Sequence, residues 1–329
     1  MRRPSLYIFL LVGLSIVMSC SSSEPARWNL ETSSDGSKPI ARHEAAFVGV
    51  NGKFFLLGGR RVQPVSIYNP VSKKWTEGTP PPLEIHHFQP LVWEGEIWIG
   101  GAFTGGYPNE TPIPYFIIYN PDKDEWRKGP DIPESRLRGA TGMVLHDAKM
   151  YMFCGLTDGH RGKHRRWADE FNPKTGEWRQ LPDAPRARDH FQASMVEGKA
   201  YMLAGRRTQS DINPFAHTER AVDVFDFDSE SWITLTAKLP TPRAGTFNHV
   251  HGEDIWVIGG ESDTQEVAHH EIEALDTKSK VFEVLPPLPE GRHGTGVICW
   301  EKGLYISSGC GNRGGNPELT SQWYFPIKD

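Results

Sequence analysis

The stretch NGKFFLLGGRRVQPVSIYNPVSKKW, residues 51–75, decides the fold of this chain. Asn51-Gly52 is a strong two-residue hairpin turn, because both positions tolerate the positive φ such a turn needs. Lys53 to Leu57 is a short apolar strand closed by Gly58-Gly59, and Val65 to Tyr68 is another, ended by Asn69-Pro70. Trp75 opens a further strand before the break at Pro80-Pro81-Pro82, and Ala46 to Val50 supplies the one before the turn. Four short strands with turns at regular spacing, and little helical periodicity, predict an all-β unit.

That unit repeats outward along the chain. Trp28, Trp75, Trp126, Trp178, Trp232 and Phe282 recur every 47 to 54 residues. Gly59, Gly101, Gly155, Gly205, Gly260 and Gly309 keep step, as do Tyr68, Tyr119, Phe171, Phe225, Leu275 and Tyr324. Three tracks in phase mean an array of one supersecondary unit. The second unit shows the same order in Glu96 to Ile99, Gly100-Gly101, Tyr119-Asn120-Pro121, Trp126 and Gly129-Pro130. The last unit ends at Tyr324 without a fourth strand, while Trp28 stands alone before the first. The tracks pair up only if the N-terminal strand completes the C-terminal unit, which also removes the open sheet edges.

The order of entry Arg, apolar strand, glycine doublet, Tyr-Asn/Asp-Pro, Trp and Pro-x-Pro resembles the kelch repeat, over about Trp28 to Phe325. The resemblance implies a six-bladed kelch β-propeller, one domain over 27–329, each repeat a blade of strands A to D around a channel. The Trp, Tyr and Gly tracks are then structural, filling the wedges between blades.

The first residues do not share this pattern. Met1-Arg2-Arg3 followed by apolar Leu6 to Met18 is too short to span a bilayer and reads as a signal peptide over 1–19. Val17-Met18-Ser19-Cys20 resembles a bacterial lipobox, which implies a lipidated Cys20, a tether over 20–26 and an envelope location with the lipid as sole membrane anchor. An ordinary cleaved signal is the alternative. Cys154, Cys299 and Cys310 are an odd set that argues against a disulfide framework, with a Cys299–Cys310 pair left open by the sequence. A net charge of −5 with 11% aromatic residues gives nothing that points to nucleic acid.

The candidate chemistry lies where the D–A and B–C connections meet at the channel mouth, since loops on a rigid scaffold carry function. The A-strand entries align Arg42, Ile85, Arg138, Arg188, Arg243 and Arg292, a ring of arginines open to either a ligand-binding or a fold-maintaining role. The next two positions read His43-Glu44, His86-His87, Gly139-Ala140, Asp189-His190, Ala244-Gly245 and His293-Gly294. Histidine can act as acid, base or ligand near neutral pH. We expect His190 and His87 with Asp189 to be catalytic, and Arg42, His43, His86, Arg138, Arg188, Arg243, Arg292 and His293 to contact substrate.

The B–C loops add Arg60, Tyr107, Asp158, His160, Arg206, Glu261 and Arg313 as binding residues, with a basic run over 157–167 as an anion-attracting patch. No Cys/His/Asp set has recognisable ligand spacing, so no metal or cofactor is expected. Arginines and histidines on one rim predict an acidic carbohydrate ligand, a uronate or sialate, that is bound and in an enzyme isomerised or cleaved. Six-bladed kelch proteins of the bacterial envelope include sialic acid mutarotases, which the chain resembles in blade number and compartment; lyase or epimerase action is equally compatible. A non-catalytic module for an acidic peptide or partner protein is the alternative, because fold alone does not set function.

Overall fold

The structure, a computed structural model, describes residues 26–327. The expected signal peptide, Cys20 and the tether up to residue 25 lie outside the described residues. Six four-stranded antiparallel sheets are arranged as blades. Blade 1 runs Ala45–Val50, Lys53–Gly58, Val65–Asn69 and Lys74–Gly78, strands A to D, joined in that order. Blades 2 to 5 repeat this, with A strands at Leu91–Trp93, Gly142–His146, Ala193–Val196 and Phe247–His251. Blade 6 takes Val297–Trp300, Gly303–Ser307 and Gln322–Pro326 from the C-terminal end and Asn29–Leu30 from the N-terminal end.

The ring is therefore closed as the repeat count requires, but one track shifts by a residue. Asn29 pairs with Tyr324 and Leu30 with Trp323, so Trp28 falls opposite Phe325. Their rings lie 5.0 Å apart, matching Tyr68–Trp75 at 5.0 Å, Tyr119–Trp126 at 4.8 Å and Phe225–Trp232 at 5.1 Å. Phe325, not Tyr324, is thus the strand C aromatic of blade 6. Side chains alternate faces along a strand, so a one-residue slip would have pointed the ring to the wrong side.

The core is divided by the wedges between blades. One cluster joins Phe55 and Leu57 of blade 1 to Ile97, Ile117 and Tyr119 of blade 2. Another joins Trp98, Phe116 and Ile118 to Met143, Met152 and Phe171 of blade 3. Four more continue around the ring, the last packing Phe47, Phe54 and Trp75 of blade 1 against Ile298 of blade 6. Each fully buried Phe or Leu contributes about 1.5–3 kcal/mol. The wedges hold neighbouring sheets in register and so fix the loops at the channel mouth.

The glycine track also shifts once. A Cβ on Gly155 would sit 2.5 Å from the Gly139 carbonyl oxygen, and one on Gly205 would sit 2.8 Å from that of Asp189. Glycine is needed there because strand B ends against the next turn of its own blade. In blade 2 the doublet comes one residue early. Gly101 (φ +58°) stands where Cys154 and Ala204 (both +56°) stand, and Ala102 takes the place of the glycine.

The cysteines are free among the described residues, Cys154 and Cys310 buried and Cys299 exposed.

Candidate functional site at the channel mouth

The second residue after each A-strand entry adopts the left-handed conformation in all six blades. Their φ values are +52° at Glu44, +55° at His87, +53° at Ala140, +53° at His190, +64° at Gly245 and +65° at Gly294. Backbone hydrogen bonds pass from blade to blade at this level, His87 N to Glu44 O, Ala140 N to His87 O, Gly245 N to His190 O and Gly294 N to Gly245 O. Blades 5 and 6 use glycine, for which this conformation costs nothing. Blades 1, 2 and 4 place Glu, His and His there, at about 1–2 kcal/mol each. Strain of this kind clusters where a side chain is held for function.

The entry arginines do something else, which corrects the sequence expectation. Arg42, Arg138, Arg188, Arg243 and Arg292 are at most 1% exposed. Each donates to the carbonyl of the left-handed residue that ends its own strand B. The acceptors are Gly58 (3.1 Å), Cys154 (2.6 Å), Ala204 (2.9 Å), Gly259 (2.6 Å) and Ser308 (2.9 Å). Buried carboxylates balance three of them: Asp169 on Arg138, Asp223 on Arg188 and Glu273 on Arg243. Burial pushes Arg42 and Arg292 down to about 10. None of the five lines a cavity described here, because the guanidinium is consumed by backbone acceptors inside the blade. They maintain the fold.

Above the left-handed ring lies a cavity of about 580 Å³. His43, Glu44, Glu84, His87 and Glu261 form its ionisable lining together with His160, Arg60 and Arg206, and Tyr107, Pro214 and Phe215 form its apolar wall. A narrow neck of about 40 Å³ continues into the channel past His190. Of the sequence candidates, the structure thus brings together His43, Arg60, His87, Tyr107, His160, Arg206 and Glu261 at the cavity, with His190 in its throat. Asp189, His86 and His293 lie just behind, fully buried. Asp158 does not belong: it is half-buried outside the lining and paired with Lys163 at 3.0 Å. Arg313 is outside the lining, over the Phe215 ring at 5.6 Å, while Arg206 approaches the same ring at 5.5 Å.

The arginines that do reach the cavity arrive with partners. Arg60 bonds Glu110 at 2.7 Å, and Arg206 bonds Glu261 at 2.5 Å. The basic run over 157–167 is similarly compensated, with Arg161 near Asp211 and Arg166 near Asp183. Near-neutral pairs replace the anion-attracting patch expected from sequence.

The histidines sit in two settings. In blades 2 to 4, His87 and His190 ring centroids are 4.6 Å apart, and each is 5.0 Å from His160. His190 Nδ1 lies 2.5 Å from Asp189 Oδ1, itself held by Thr208, and His190 Nε2 lies 3.2 Å from His160 Nε2. His160 Nδ1 is 2.9 Å from Glu110 Oε1, at ion-pair distance rather than in an aligned hydrogen bond. His87 Nδ1 is 2.6 Å from His86 Nδ1, and His86 Nε2 is 3.1 Å from the Gly105 carbonyl. Burial drives the His87 and His190 imidazoles below their ordinary value and that of His86 down to about 3. Burial works to raise Glu110, but His160 and Arg60 hold it well below the carboxylate range.

In blades 5, 6 and 1, by contrast, His293 lies between Glu261 (3.4 Å) and Glu44 (3.5 Å). Burial opposes its charge, yet Glu261, Cys310 and Glu44 together raise it well above its ordinary value. Glu44 also reaches His87 Nε2 at 3.4 Å. Among the described residues, two groups could hold an ion: His87, His160 and His190, and Glu44, Glu261 and His293. Neither was legible from ligand spacing, because their members come from different blades.

Sequence reasoning missed Glu84, Glu110, Thr208 and Phe215, and gave Glu44 no role. Glu44 had a signal, since it occupies the repeat position of His87 and His190. Glu110 had none: it enters from a long blade 2 loop and reads locally as part of a sequon.

Comparisons with known proteins agree with this architecture. The sequence profile of the KLHDC2/KLHL20/DRC7 Kelch-repeats domain matches residues 91–309. Kelch-like protein terF of Aspergillus terreus is 29% identical over 292 residues, 82% of this chain and 61% of that protein. Kelch-like protein 40 of Xenopus tropicalis is 24% identical over 203 residues, 60% of this chain and 31% of its own length. The chain therefore spans less than two thirds of these relatives. The solved structure of YjhT, at 15% identity, shares the fold with a TM-score of 0.72 over 87% of this chain and 95% of its own. Repeat tracks, blade topology and the matched profile lead to one conclusion: the chain belongs to the KLHDC2/KLHL20/DRC7 Kelch-repeat family.

Proposed function

We propose that the protein binds a small acidic carbohydrate at the channel mouth and moves a proton on it, as a mutarotase, epimerase or lyase does. The observation that carries this reading is the 580 Å³ cavity, walled by Tyr107 and Phe215 and floored by His87, Glu44 and Glu261. Ligand sites are concave and mostly apolar with a few convergent polar groups, and a docking rim for a peptide is shallower. Tyr107 is 53% exposed and free to cover a sugar ring. Glu84 and Glu261 can accept hydroxyl hydrogen bonds. Glu110 takes one donor of Arg60, and a guanidinium has five, so the rest of the fork suits a ligand carboxylate. Glu44, 3.4 Å from His87 Nε2 at the floor, supplies the base that moves the proton.

A thermal-shift screen of the purified protein with glucuronate, galacturonate and N-acetylneuraminate, against glucose as the neutral control, tests the reading. A rise in Tm with an acidic sugar, lost in Arg60→Ala, is expected. Anomer exchange by NMR and the absorbance of an unsaturated product then separate mutarotation from lysis. No shift with any acidic sugar at millimolar concentration overturns it.

A further inference from the structure

We infer that His87, His160 and His190 form a three-imidazole site for a divalent transition metal of the zinc class, opening onto the cavity. The inference deepens the proposed function by naming what receives the anionic group of the ligand.

It begins with where the protons sit. His190 faces the Asp189 carboxylate through Nδ1, and a carboxylate only accepts, so Nδ1 carries the hydrogen. The same logic places a hydrogen on His160 Nδ1, which faces Glu110. For His87 the argument runs through one more ring. His86 Nε2 must donate to the Gly105 carbonyl, leaving His86 Nδ1 as an acceptor for the His87 Nδ1 hydrogen. With the hydrogen at Nδ1 in each ring, it is Nε2 of all three that is left to offer a lone pair. The His160 and His190 lone pairs face each other across 3.2 Å, and His87 Nε2 faces the Glu44 carboxylate, another acceptor. A shared hydrogen satisfies one such pair, whereas a metal ion accepts a lone pair from all three rings at once.

The dimensions fit a metal. Tetrahedral zinc with Zn–N of about 2.0–2.1 Å places its nitrogens about 3.3–3.4 Å apart. The His160–His190 pair stands at 3.2 Å, and one donor atom from each of the three histidines lies within 4.8 Å of the others. A metal-bound histidine ordinarily gives its other N–H to a carboxylate or carbonyl, which fixes the ring. Asp189, Glu110 and the His86–Gly105 chain are those outer partners. Three protein ligands with an accessible fourth position mark a site that takes a ligand, whereas a purely structural site is closed by four.

The second group, Glu44, Glu261 and His293, needs no such ion. The His293 imidazolium already lies between its two carboxylates, and Arg206 binds Glu261. With the three imidazoles engaged, the ligand carboxylate or hydroxyl takes the open position, and Glu44 is the group left beside it to move a proton.

The test titrates EDTA-treated full-length protein with Zn2+ and Co2+, reading stoichiometry by elemental analysis and geometry by the visible bands of Co2+. One equivalent per chain with tetrahedral Co2+ bands is expected, lost in His160→Gln and His190→Gln and kept in His270→Ala, an exposed histidine away from the mouth. Circular dichroism in EDTA checks that the variants fold. If His190→Gln fails to fold, Asp189→Asn serves instead, and a 10–100-fold weaker affinity is expected. Substoichiometric uptake, or uptake unchanged in these variants, overturns the site. The acidic-sugar shift is measured with and without Zn2+. A shift in EDTA without metal uptake sinks the metal site and leaves the sugar reading. Metal uptake without any sugar shift does the reverse.

Discussion

The two halves of the channel floor use neighbouring repeat positions for opposite ends. In blades 2 to 4, His160 and His190 bring Nε2 to Nε2 at 3.2 Å, and the His87 ring packs against both with its Nδ1 engaged by His86. In blades 5, 6 and 1, His293 sits between Glu44 and Glu261 and closes on itself. An imidazole that faces other imidazoles and one held between two carboxylates are different chemical objects, even on neighbouring positions of one repeat. The lesson is that the partner at the back of the ring, more than the histidine itself, decides which half binds and which half holds.

The largest expected effect would break this division if it fell on the wrong half. His293→Ala leaves the Glu44 charge without its cation. It should cost roughly 3 kcal/mol, the low end for a broken buried pair since Glu44 borders the cavity. Urea denaturation measures it. His160→Ala should cost clearly less stability while abolishing the sugar-dependent Tm shift. Equal destabilisation by both would mean that the halves do the same work.

A pH series sharpens the same contrast. The folded value of His293 stands above its unfolded value of 6.5, raised by Glu261, Cys310 and Glu44, with the His43 ring 6.3 Å away. A group raised in the folded state stabilises fully below the unfolded pKa, and that contribution is lost as pH rises through the folded one. Tm should therefore fall on the alkaline side of neutrality, and His293→Gln should flatten that fall.

In the middle of the imidazole half stands Ala140 of blade 3, left-handed at φ +53° and 3% exposed, with only a methyl group to offer the floor. Ala140→Gly relieves the strain but adds chain entropy to the unfolded state, for a net gain of up to about 0.5 kcal/mol. Calorimetry should show a Tm rise of about 1–2 °C with ligand binding unchanged. A loss of binding would show that the hydrogen-bonded ring itself, and not only its side chains, shapes the cavity.

These particulars mark what was legible in the sequence. Blade number and ring closure could be read from Trp28, Trp75, Trp126 and their companions, because every wedge makes the same demand. The two off-by-one positions, Phe325 for Tyr324 and Ala102 for Gly101, were hidden because tyrosine and glycine satisfy the pattern locally. Only pairing register distinguishes them. The entry arginines misled for a related reason: a cation at a channel mouth looks like a ligand contact until its hydrogen bonds to Gly58, Cys154 or Gly259 are seen. The histidine asymmetry between blades was visible. Glu110 and Phe215 were not, since long loops bring them to the site without any repeat to predict where they land.

The closing strand carries one more consequence. Trp28 and Phe325 meet only after the roughly 300 residues between them have been made, so until then the first strand has no sheet to join. Until residues near 325 emerge, blade 6 lacks its outer strand and blade 1 lacks its neighbour, leaving unpaired edges of the kind that recruit other chains. The propeller is thus most vulnerable to aggregation just before its ring closes. A cut or truncation that frees Asn29–Leu30 should return it to that state by unfastening the ring at its seam.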